Sequence, residues 1–234
     1  NRNLAESKTK AQAMIMAGQV CVEGKIINKS GFNININAEI EINTLGPKWV
    51  SRGATKLLTA LEKNQIIVKN KICIDLGSST GGFTDVLIQS GAEKVYAVDV
   101  GTNQLHEKLK KNNKVISFEK TNARYLKKEQ IKELIDIMVC DVSFISLKKV
   151  IEPNLYLLKH GSIIVALIKP QFESKKNETK KGVIKDILIH QRICNEISEW
   201  FENINGSQVL SIIESPIKGP KGNVEFLITV KFQK

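Results

Sequence analysis

The sequence predicts an α/β protein with a doubly wound, mostly parallel seven-stranded sheet and a small N-terminal α+β domain. Three observations support this fold class. From Lys71 onward, apolar runs of strand length alternate with amphipathic segments of helix length. These runs are uniformly apolar, which is typical of strands buried on both faces of a parallel sheet. The first run turns into a helix through a loop rich in glycine and serine.

Residues 1–45 are predicted to form the small N-terminal domain. Ser7 is placed to cap a helix that starts at Lys8, and Gly18 is placed to end this helix after Ala17. Two short strands joined by a Glu-Gly turn are predicted next, at 20–22 and 26–27. Because the chain begins at Asn1 rather than at methionine, we expect it to be a piece of a longer product.

The stretch 11–25, with the sequence AQAMIMAGQVCVEGK, resembles the core of the S4 RNA-binding fold. That fold normally begins with an earlier helix, which is largely missing here. The resemblance implies a partial S4-like domain that contacts RNA.

The turn at 46–50 is predicted to be a linker, because it combines glycine and proline, and 51–234 is then the second domain. Ser51 is expected to cap a helix that spans about 52–62. Strands are predicted near 72–75, 94–99, 115–118, 136–141, 162–168, 208–213 and 224–232. Helices are predicted near 82–90, 127–134, 146–158 and 186–202.

The loop after the first strand of the sheet has the composition of a ligand-binding turn. Residues 75–85 have the sequence DLGSSTGGFTD. Glycine permits the close approach of backbone to a ligand, and the following helix offers free N–H groups to an anion. The next strand ends at Asp99, where a carboxylate accepts hydrogen bonds from ribose hydroxyls. Together these features predict a cofactor that contains adenosine.

Two cofactors fit such a turn, and the glycine spacing favours one of them. A dinucleotide site usually has the pattern G-x-G-x-x-G. Here Gly77, Gly81 and Gly82 give G-x-x-x-G-G instead. This arrangement suits S-adenosylmethionine (SAM), which has no pyrophosphate, and Asp75 is a candidate anchor for its ammonium group.

Four charged residues are expected to converge near the cofactor, because a parallel sheet binds its ligands outside the carboxyl ends of its strands. Asp141 and Lys169 each follow a predicted strand directly, Glu225 lies within the last predicted strand, and Lys56 lies on the helix before the first. A ribose hydroxyl is a weak nucleophile that needs proton removal or charge stabilisation. Lys169 is the candidate for that role and Asp141 would orient it. Lys56 and Glu225 would hold the ribose and tune the lysine pKa, in a direction that stays open because lysine and carboxylate neighbours act oppositely.

Seven motifs carry a resemblance to a known family: SRGATKL at 51–57, DLGSSTGGFTD at 75–85, VDVG at 98–101, NARYL at 122–126, DVSFISL at 141–147, KPQFE at 169–173 and SPIKGPKGNVEF at 215–226. In content and order they resemble the TlyA (haemolysin A) family over essentially the whole chain. The resemblance implies SAM-dependent 2′-O-methylation of cytidine in ribosomal RNA by an FtsJ-like, Rossmann-like domain. The short C-terminus resembles the shorter form of the family. This implies that RNA of the large ribosomal subunit is the favoured substrate and that RNA of the small subunit is the second candidate.

The resemblance also implies roles for individual residues. A Lys-Asp-Lys-Glu catalytic tetrad carries over onto Lys56, Asp141, Lys169 and Glu225. The SAM pocket carries over onto Asp75, Gly77, Ser78, Ser79, Thr80, Gly81, Gly82, Phe83, Asp99, Val100, Asn122, Ala123, Arg124 and Asp141.

The formal net charge of +11 favours a polyanionic partner. The partner predicted here is ribosomal RNA within ribosomal subunits, with a flipped target nucleotide and no obligate protein partner. Phosphate contacts are expected from Arg2, Lys8, Lys10, Lys48 and Arg52. A lysine-rich loop after the Lys169 strand is expected to clamp the target strand through Lys175, Lys176, Lys180 and Lys181.

Several function classes are disfavoured. No apolar run has the length of a membrane span, and neither pore-forming helices nor long alternating strands are visible, which disfavours a haemolysin or other membrane-active protein. The four cysteines form no C-x-x-C pair and the three histidines are scattered, so the sequence predicts neither a metal site nor a disulfide. Cysteines of this kind are typical of a reducing compartment, so a cytoplasmic location is predicted. An inactive RNA-binding module is disfavoured by the intact tetrad. A base methyltransferase is disfavoured because the motif after the Asp141 strand lacks the Asn/Asp-Pro-Pro-aromatic pattern.

Overall fold

The computed structural model describes residues 2, 4–16, 19–27, 29–42, 49–175, 178–179 and 181–233. The predicted helix end at Gly18, most of the predicted linker, and the candidate RNA contacts Lys48, Lys176 and Lys180 lie outside the described residues. The chain divides into two compact units, residues 1–49 and residues 50–234.

The first unit combines one helix with a small antiparallel sheet. Its elements are α1 (Lys8–Met16), β1 (Val20–Val22), β2 (Lys25–Ile26) and β3 (Ile40–Ile42), and the strand order is β2-β1-β3. The hydroxyl of Ser7 accepts a hydrogen bond from Lys10 N at 3.1 Å, which is the capping contact that the sequence predicts. The strand β3 was not predicted; it pairs with β1 in antiparallel register.

The second unit alternates strands with helices. It consists of α2 (Ala54–Lys63), β4 (Ile72–Leu76), α3 (Gly82–Gln89), β5 (Lys94–Val98), α4 (Glu107–Lys110), β6 (Val115–Phe118), β7 (Ile135–Cys140), α5 (Lys148–Ile151), β8 (Leu158–Ile168), α6 (Pro170–Glu173), α7 (Ile187–Glu202), β9 (Ser207–Glu214) and β10 (Phe226–Phe232). Short 3-10 helices lie at 123–125, 152–157 and 220–222.

The sheet of the second unit has seven strands in the order β6-β5-β4-β7-β8-β10-β9, which confirms the predicted fold class. The strands β4 to β8 pair in parallel, whereas β10 is antiparallel to both of its neighbours. The start of β10 therefore lies beside the end of β8, with Phe226 opposite Ile168. The carboxyl ends of the parallel strands and the amino end of β10 thus share one edge of the sheet.

Helices cover both faces of this sheet. On one face, α7 contributes Ile193, Ile197 and Phe201 to a core that includes Ile74 and Met138 from the central strands. On the other face, α2 buries Leu57, Ala60 and Leu61 and lies against α3 and β10. Because α2 is amphipathic and packs on β10, its buried face is directed toward the edge where β10 begins.

Two predicted helices differ from the structure. The segment 127–134 forms turns rather than a helix, because Gln130 bonds back to Lys127 through both its backbone N–H and its side-chain oxygen. In addition, the Glu133 carboxylate accepts hydrogen bonds from Lys94 and Tyr96, which lie outside this segment. The predicted helix 146–158 is split into α5 and a 3-10 helix, which has a proline at its start that cannot donate a backbone hydrogen bond.

Two smaller predictions are also wrong. Ser51 is not the N-cap of α2, which begins at Ala54 after Gly53; the Ser51 hydroxyl instead accepts a hydrogen bond from Gly53 N at 3.0 Å. Glu225 lies one residue before β10 rather than within it. Its carbonyl still accepts a hydrogen bond from Ser215 N at 2.9 Å, so its position beside β9 is fixed.

Candidate active site

The turn after β4 brings backbone close to the neighbouring strand end. Gly77 has a φ of +86°, and a Cβ on it would lie 2.5 Å from the carbonyl oxygen of Asp141. Both the left-handed backbone and the lack of space therefore require glycine there. The N–H groups of Gly77 and Ser78 both donate to Val98 O, at 2.9 and 3.1 Å, which ties the turn to the end of β5.

Asp99, which follows β5, holds the same turn through its side chain. One carboxylate oxygen accepts a hydrogen bond from Ser79 N at 2.8 Å, and the other accepts one from Gly101 N at 2.7 Å. A carboxylate has about four acceptor positions, so both oxygens keep capacity for a ligand. Asp99 also lines a cavity, which leaves that capacity accessible.

The larger cavity at this edge has a volume of about 420 Å³. It is lined by the turn after β4, the end of β5, the turn before the 123–125 helix and the loop after β7. The lining residues are Gly77, Ser79, Val98, Asp99, Val100, Gln104, Thr121, Asn122, Ala123, Arg124, Asp141, Val142, Ser143, Phe144, Ile145 and Val150. This set contains eight of the residues that the sequence assigns to the cofactor, namely Gly77, Ser79, Asp99, Val100, Asn122, Ala123, Arg124 and Asp141.

A smaller cavity of about 180 Å³ lies next to it. Its lining is more polar and includes a lysine: Ser51, Gly53, Gly77, Ser78, Ser79, Thr80, Gly82, Phe83, Asp141, Ser143 and Lys169. Gly77, Ser79, Asp141 and Ser143 line both cavities. The two cavities therefore share one wall, and Lys169 reaches only the smaller one.

Two of the predicted cofactor residues, Asp75 and Gly81, line neither cavity. Asp75 is fully buried, and one of its oxygens accepts a hydrogen bond from the Thr84 hydroxyl at 2.7 Å. Burial raises the pKa of the Asp75 carboxyl to about 7. Gly81 has a φ of +95°, and the space that its side chain would need is filled by Leu105 and Leu109. Asp75 and Gly81 therefore shape the turn from the side that faces away from the two cavities.

Asp141 and Lys169 meet at the ends of two neighbouring strands. The Lys169 Nζ lies 2.5 Å from an Asp141 carboxylate oxygen and donates a hydrogen bond to the Ser143 hydroxyl at 2.9 Å. Lys169 is buried, whereas the Asp141 side chain keeps 23% of its surface exposed. The ammonium group is therefore held in one place by an ion pair with Asp141 and a hydrogen bond to Ser143.

Lys56 and Glu225 form a second buried pair. The Lys56 Nζ donates a hydrogen bond to Glu225 Oε2 at 2.7 Å, although the two residues are 169 positions apart in the chain. Glu225 is only 1% exposed, and its other carboxylate oxygen has no hydrogen-bond partner among the described residues. The structure therefore groups the four predicted catalytic residues into two ion pairs at the same sheet edge.

The sequence assigned no role to two residues of the DVSF motif that the structure places at the cavities. Ser143 contacts Lys169 and lines both cavities. Phe144 lines the larger cavity yet is 90% exposed, with a φ of +65° and its ring centroid 5.0 Å from that of Phe172. An aromatic ring so exposed at the mouth of a cavity is a candidate contact for a ligand. The sequence shows the DVSF motif, but it does not show that Phe144 is exposed.

The predicted RNA contacts differ in their surroundings. Lys8, Lys10, Arg52, Lys175 and Lys181 are exposed. The Arg2 guanidinium instead donates hydrogen bonds to Ala38 O at 2.6 Å and to Ile36 O. It therefore braces the loop before β3, and any contact with a phosphate would compete with these two bonds.

Within the described residues, no group of three or more His, Cys, Asp and Glu side chains is arranged to hold a metal ion. The helices described here are also too short or too polar to cross a bilayer.

Comparisons with known proteins agree with this geometry. The FtsJ-like methyltransferase model matches residues 49–232, and the S4 domain model matches residues 1–40. The chain belongs to the FtsJ-like methyltransferase family. This confirms the predicted family and the predicted enzyme class, a methyltransferase.

Two curated relatives cover nearly the whole chain. Hemolysin A of Brachyspira hyodysenteriae is 42% identical over 95% of this chain and 92% of its own length. The 16S/23S rRNA (cytidine-2′-O)-methyltransferase TlyA of Mycobacterium tuberculosis is 37% identical over 99% of this chain and 87% of its own. A solved structure from Streptococcus thermophilus, described only provisionally as a hemolysin, superposes with a TM-score of 0.79 at 37% identity and covers 99% of this chain and 85% of its own.

Proposed function

We propose that this protein transfers a methyl group from SAM to the 2′-oxygen of a cytidine in ribosomal RNA. The observation that carries the proposal is Lys169, which is held by Asp141 and Ser143 at the wall between the two cavities. The M. tuberculosis relative, named for this reaction, supports the choice of ribose and base.

The larger cavity fits the adenosine portion of SAM. Its volume of about 420 Å³ is within the usual range for small-molecule sites. Asp99 offers acceptors for the ribose hydroxyls, and the turn at 122–124 lines the part of the cavity assigned to adenine. Gly77 lines both cavities, and the smaller one is also lined by Ser78, Ser79 and Thr80, whose hydroxyl groups suit the amino-acid end. Asp75 is proposed to act indirectly, by holding Thr84 behind the turn.

SAM supplies an electrophilic methyl group, and the protein must supply an activated hydroxyl in line with it. Lys169 Nζ, in its neutral form, is proposed to receive the proton of the 2′-hydroxyl as the oxygen bonds to the methyl group and the bond between methyl and sulfur breaks. The ammonium group so formed stabilises the negative charge that develops on the oxygen. Asp141 and Ser143 fix the direction of this group. The Lys56–Glu225 pair is proposed to hold the acceptor ribose, with Glu225 fixing the direction of the Lys56 ammonium group.

RNA is proposed to bind by charge and by stacking. The net charge of +11 and the S4 domain support contacts with phosphates, for which Lys8, Lys10, Arg52, Lys175 and Lys181 are exposed. A flipped cytidine is proposed to stack on the exposed ring of Phe144. Large-subunit RNA is the favoured substrate, with small-subunit RNA as the second, and the reaction would take place in the cytoplasm, where both substrates are present.

The decisive experiment measures methyl transfer from labelled SAM to purified large and small ribosomal subunits. We expect label at a cytidine 2′-oxygen with the wild type and a loss of at least about a thousandfold with Lys169→Ala, because the charge on the oxygen is no longer stabilised. Lys69→Ala, which removes an exposed lysine before β4, is the matched control and should retain full activity. Label at a base nitrogen or carbon, or full activity of Lys169→Ala, would refute the proposal.

A further inference from the structure

The segment 215–225 is folded around the carboxylate of Glu225. At its start, Ser215 N donates a hydrogen bond to Glu225 O at 2.9 Å. Near its end, Gly219 N donates to Asn223 O at 2.9 Å, and Gly222 N donates to Gly219 O at 3.1 Å. These bonds close a tight loop in which the backbone of Gly219 faces the Glu225 side chain.

Backbone conformation does not explain a glycine at position 219. Its φ of −72° and ψ of −174° are extended values that any residue adopts. Other glycines in the chain, such as Gly77 and Gly81, have positive φ angles that favour glycine for conformational reasons. Glycine is therefore required at position 219 because there is no space for a side chain.

The space beside Gly219 is occupied by the Glu225 carboxylate. A Cβ on Gly219 would lie 2.5 Å from Glu225 Cδ and 3.1 Å from Oε2, and it would lie closer still to Oε1. A carbon and an oxygen that are not bonded stay well over 3 Å apart, so no side chain fits while the carboxylate keeps its place.

Neither partner has room to move aside. Glu225 is buried and its Oε2 is bonded to Lys56. Gly219 is held by Asn223, a buried residue whose side-chain amide donates to Gly182 O at 3.0 Å and to Pro220 O at 3.1 Å. The Asn223 side-chain oxygen also accepts a hydrogen bond from Ile184 N at 3.3 Å. The loop is thus fastened to the segment at 182–184 and resists displacement.

We infer that Gly219 is a positioning residue for the acceptor side of the active site. The missing side chain leaves room for the carboxylate, so that Glu225 Oε2 keeps its hydrogen bond with Lys56. This role rests on the proposed function, because the pair is there assigned to the acceptor ribose. None of the residues of this loop lines either cavity, so the role is separate from SAM binding.

The kinetic test is a double-mutant cycle between positions 219 and 225. Gly219→Ala should lower kcat for methyl transfer by about tenfold or more and leave the affinity for SAM unchanged. Glu225→Asp withdraws the carboxylate by one methylene, so in that background the further change Gly219→Ala should cost little additional activity. Equal losses from Gly219→Ala in both backgrounds, or no loss in the first, would overturn the inference. Gly31→Ala adds a methyl group that meets no atom within 4 Å and is the matched control.

Thermal unfolding gives a second readout that needs no activity. Gly219→Ala should lower the melting temperature of the wild type but not that of Glu225→Ala, in which the methyl group has room. If Gly219→Ala alone fails to fold, the variant that also carries Lys56→Met and Glu225→Ala, and so has neither charge, should fold again. Failure of that triple variant to fold, while Lys56→Met/Glu225→Ala folds, would overturn the inference. Absence of methyl transfer by the wild type would count against the proposed function alone, since this unfolding cycle tests the contact independently.

Discussion

Lys169 and Asp141 leave neighbouring parallel strands at the same edge, and their charged atoms meet at 2.5 Å. The contact follows from the sheet itself. Both residues come directly after the last residue of a strand, and Cys140 is paired with Ala166, so β8 continues only two residues past the end of β7. Side chains at the ends of paired strands are held by the sheet, and a precisely aligned reaction requires such positioning.

The Lys56–Glu225 pair should affect stability and activity differently. Glu225→Ala leaves a buried ammonium without its partner and should lower the free energy of unfolding by about 3–5 kcal/mol. Replacing both residues by methionine removes both charges and should restore most of this stability without restoring methyl transfer. Urea unfolding and the methyl-transfer assay together check this. A double variant that is as unstable as Glu225→Ala would contradict the explanation.

Asp99 should control the affinity for SAM. Asp99→Ala removes the acceptors of Ser79 N and Gly101 N as well as those proposed for the ribose. We expect the SAM dissociation constant, measured by calorimetry, to rise by about 10–100-fold, which corresponds to the loss of charge-assisted hydrogen bonds. Glu93→Gln changes an exposed carboxylate before the same strand and serves as the control. An unchanged dissociation constant in Asp99→Ala would argue against adenosine in the larger cavity.

Asp75 should make stability depend on pH. Its folded pKa of about 7 is above the unfolded value of about 3.9, so the folded state keeps a proton that the unfolded chain releases. The resulting stabilisation is complete below about pH 4 and is lost as the pH rises through about 7. The free energy of unfolding should therefore fall by about 1 kcal/mol per pH unit between about pH 5 and pH 6 because of this group, and more slowly as the pH passes 7.

Substitution isolates the contribution of Asp75. Asp75→Asn keeps an acceptor for the Thr84 hydroxyl but cannot ionise, so its urea unfolding should show a flatter pH profile than the wild type. Glu62→Gln, at an exposed position of α2, should leave the wild-type profile unchanged. Parallel profiles for the wild type and Asp75→Asn would show that the buried carboxyl does not titrate as expected.

Phe144 should act on RNA and not on SAM. Phe144→Ala keeps a Cβ, so the left-handed backbone is strained to the same extent in both proteins. Loss of a stacked base corresponds to about 1–3 kcal/mol, so kcat/KM for RNA should fall by about 5–150-fold. Phe144→Tyr retains the ring and should retain most of the activity. If Phe144→Ala instead weakens SAM binding to the same degree, the ring covers the cofactor.

The strand ends were predictable because a buried parallel strand is a continuous apolar run, and its end is marked by the first polar residue. Asp99, Asp141 and Lys169 all follow this rule. Glu225 does not, because β10 is antiparallel and the residue stands at its beginning. The predicted strand near 224–232 therefore begins two residues too early, although Lys56 and Glu225 were both predicted for the acceptor ribose.

Features that depend on distant parts of the chain were not predictable from local patterns. The segment 127–134 has the composition of a helix, but Glu133 bonds to Lys94 and Tyr96 on β5 and this tertiary contact prevails. The burial of Asp75 behind the turn and the exposure of Phe144 at the cavity likewise depend on how elements pack together. The contact between Gly219 and Glu225 shows the same limit, since only packing explains that glycine.

Because β10 is antiparallel, the cofactor half and part of the acceptor half of the site come from different parts of the sequence. Residues of the larger cavity come from the first part of the domain, up to Val150, whereas Glu225 and the loop that holds it belong to the C-terminal hairpin of β9 and β10. Exchange of residues 207–232 between relatives would therefore alter how the acceptor is gripped while leaving the cofactor-binding half in its original sequence. Such an exchange would keep Lys56, Asp141 and Lys169 in place and would replace only the segment that carries Glu225.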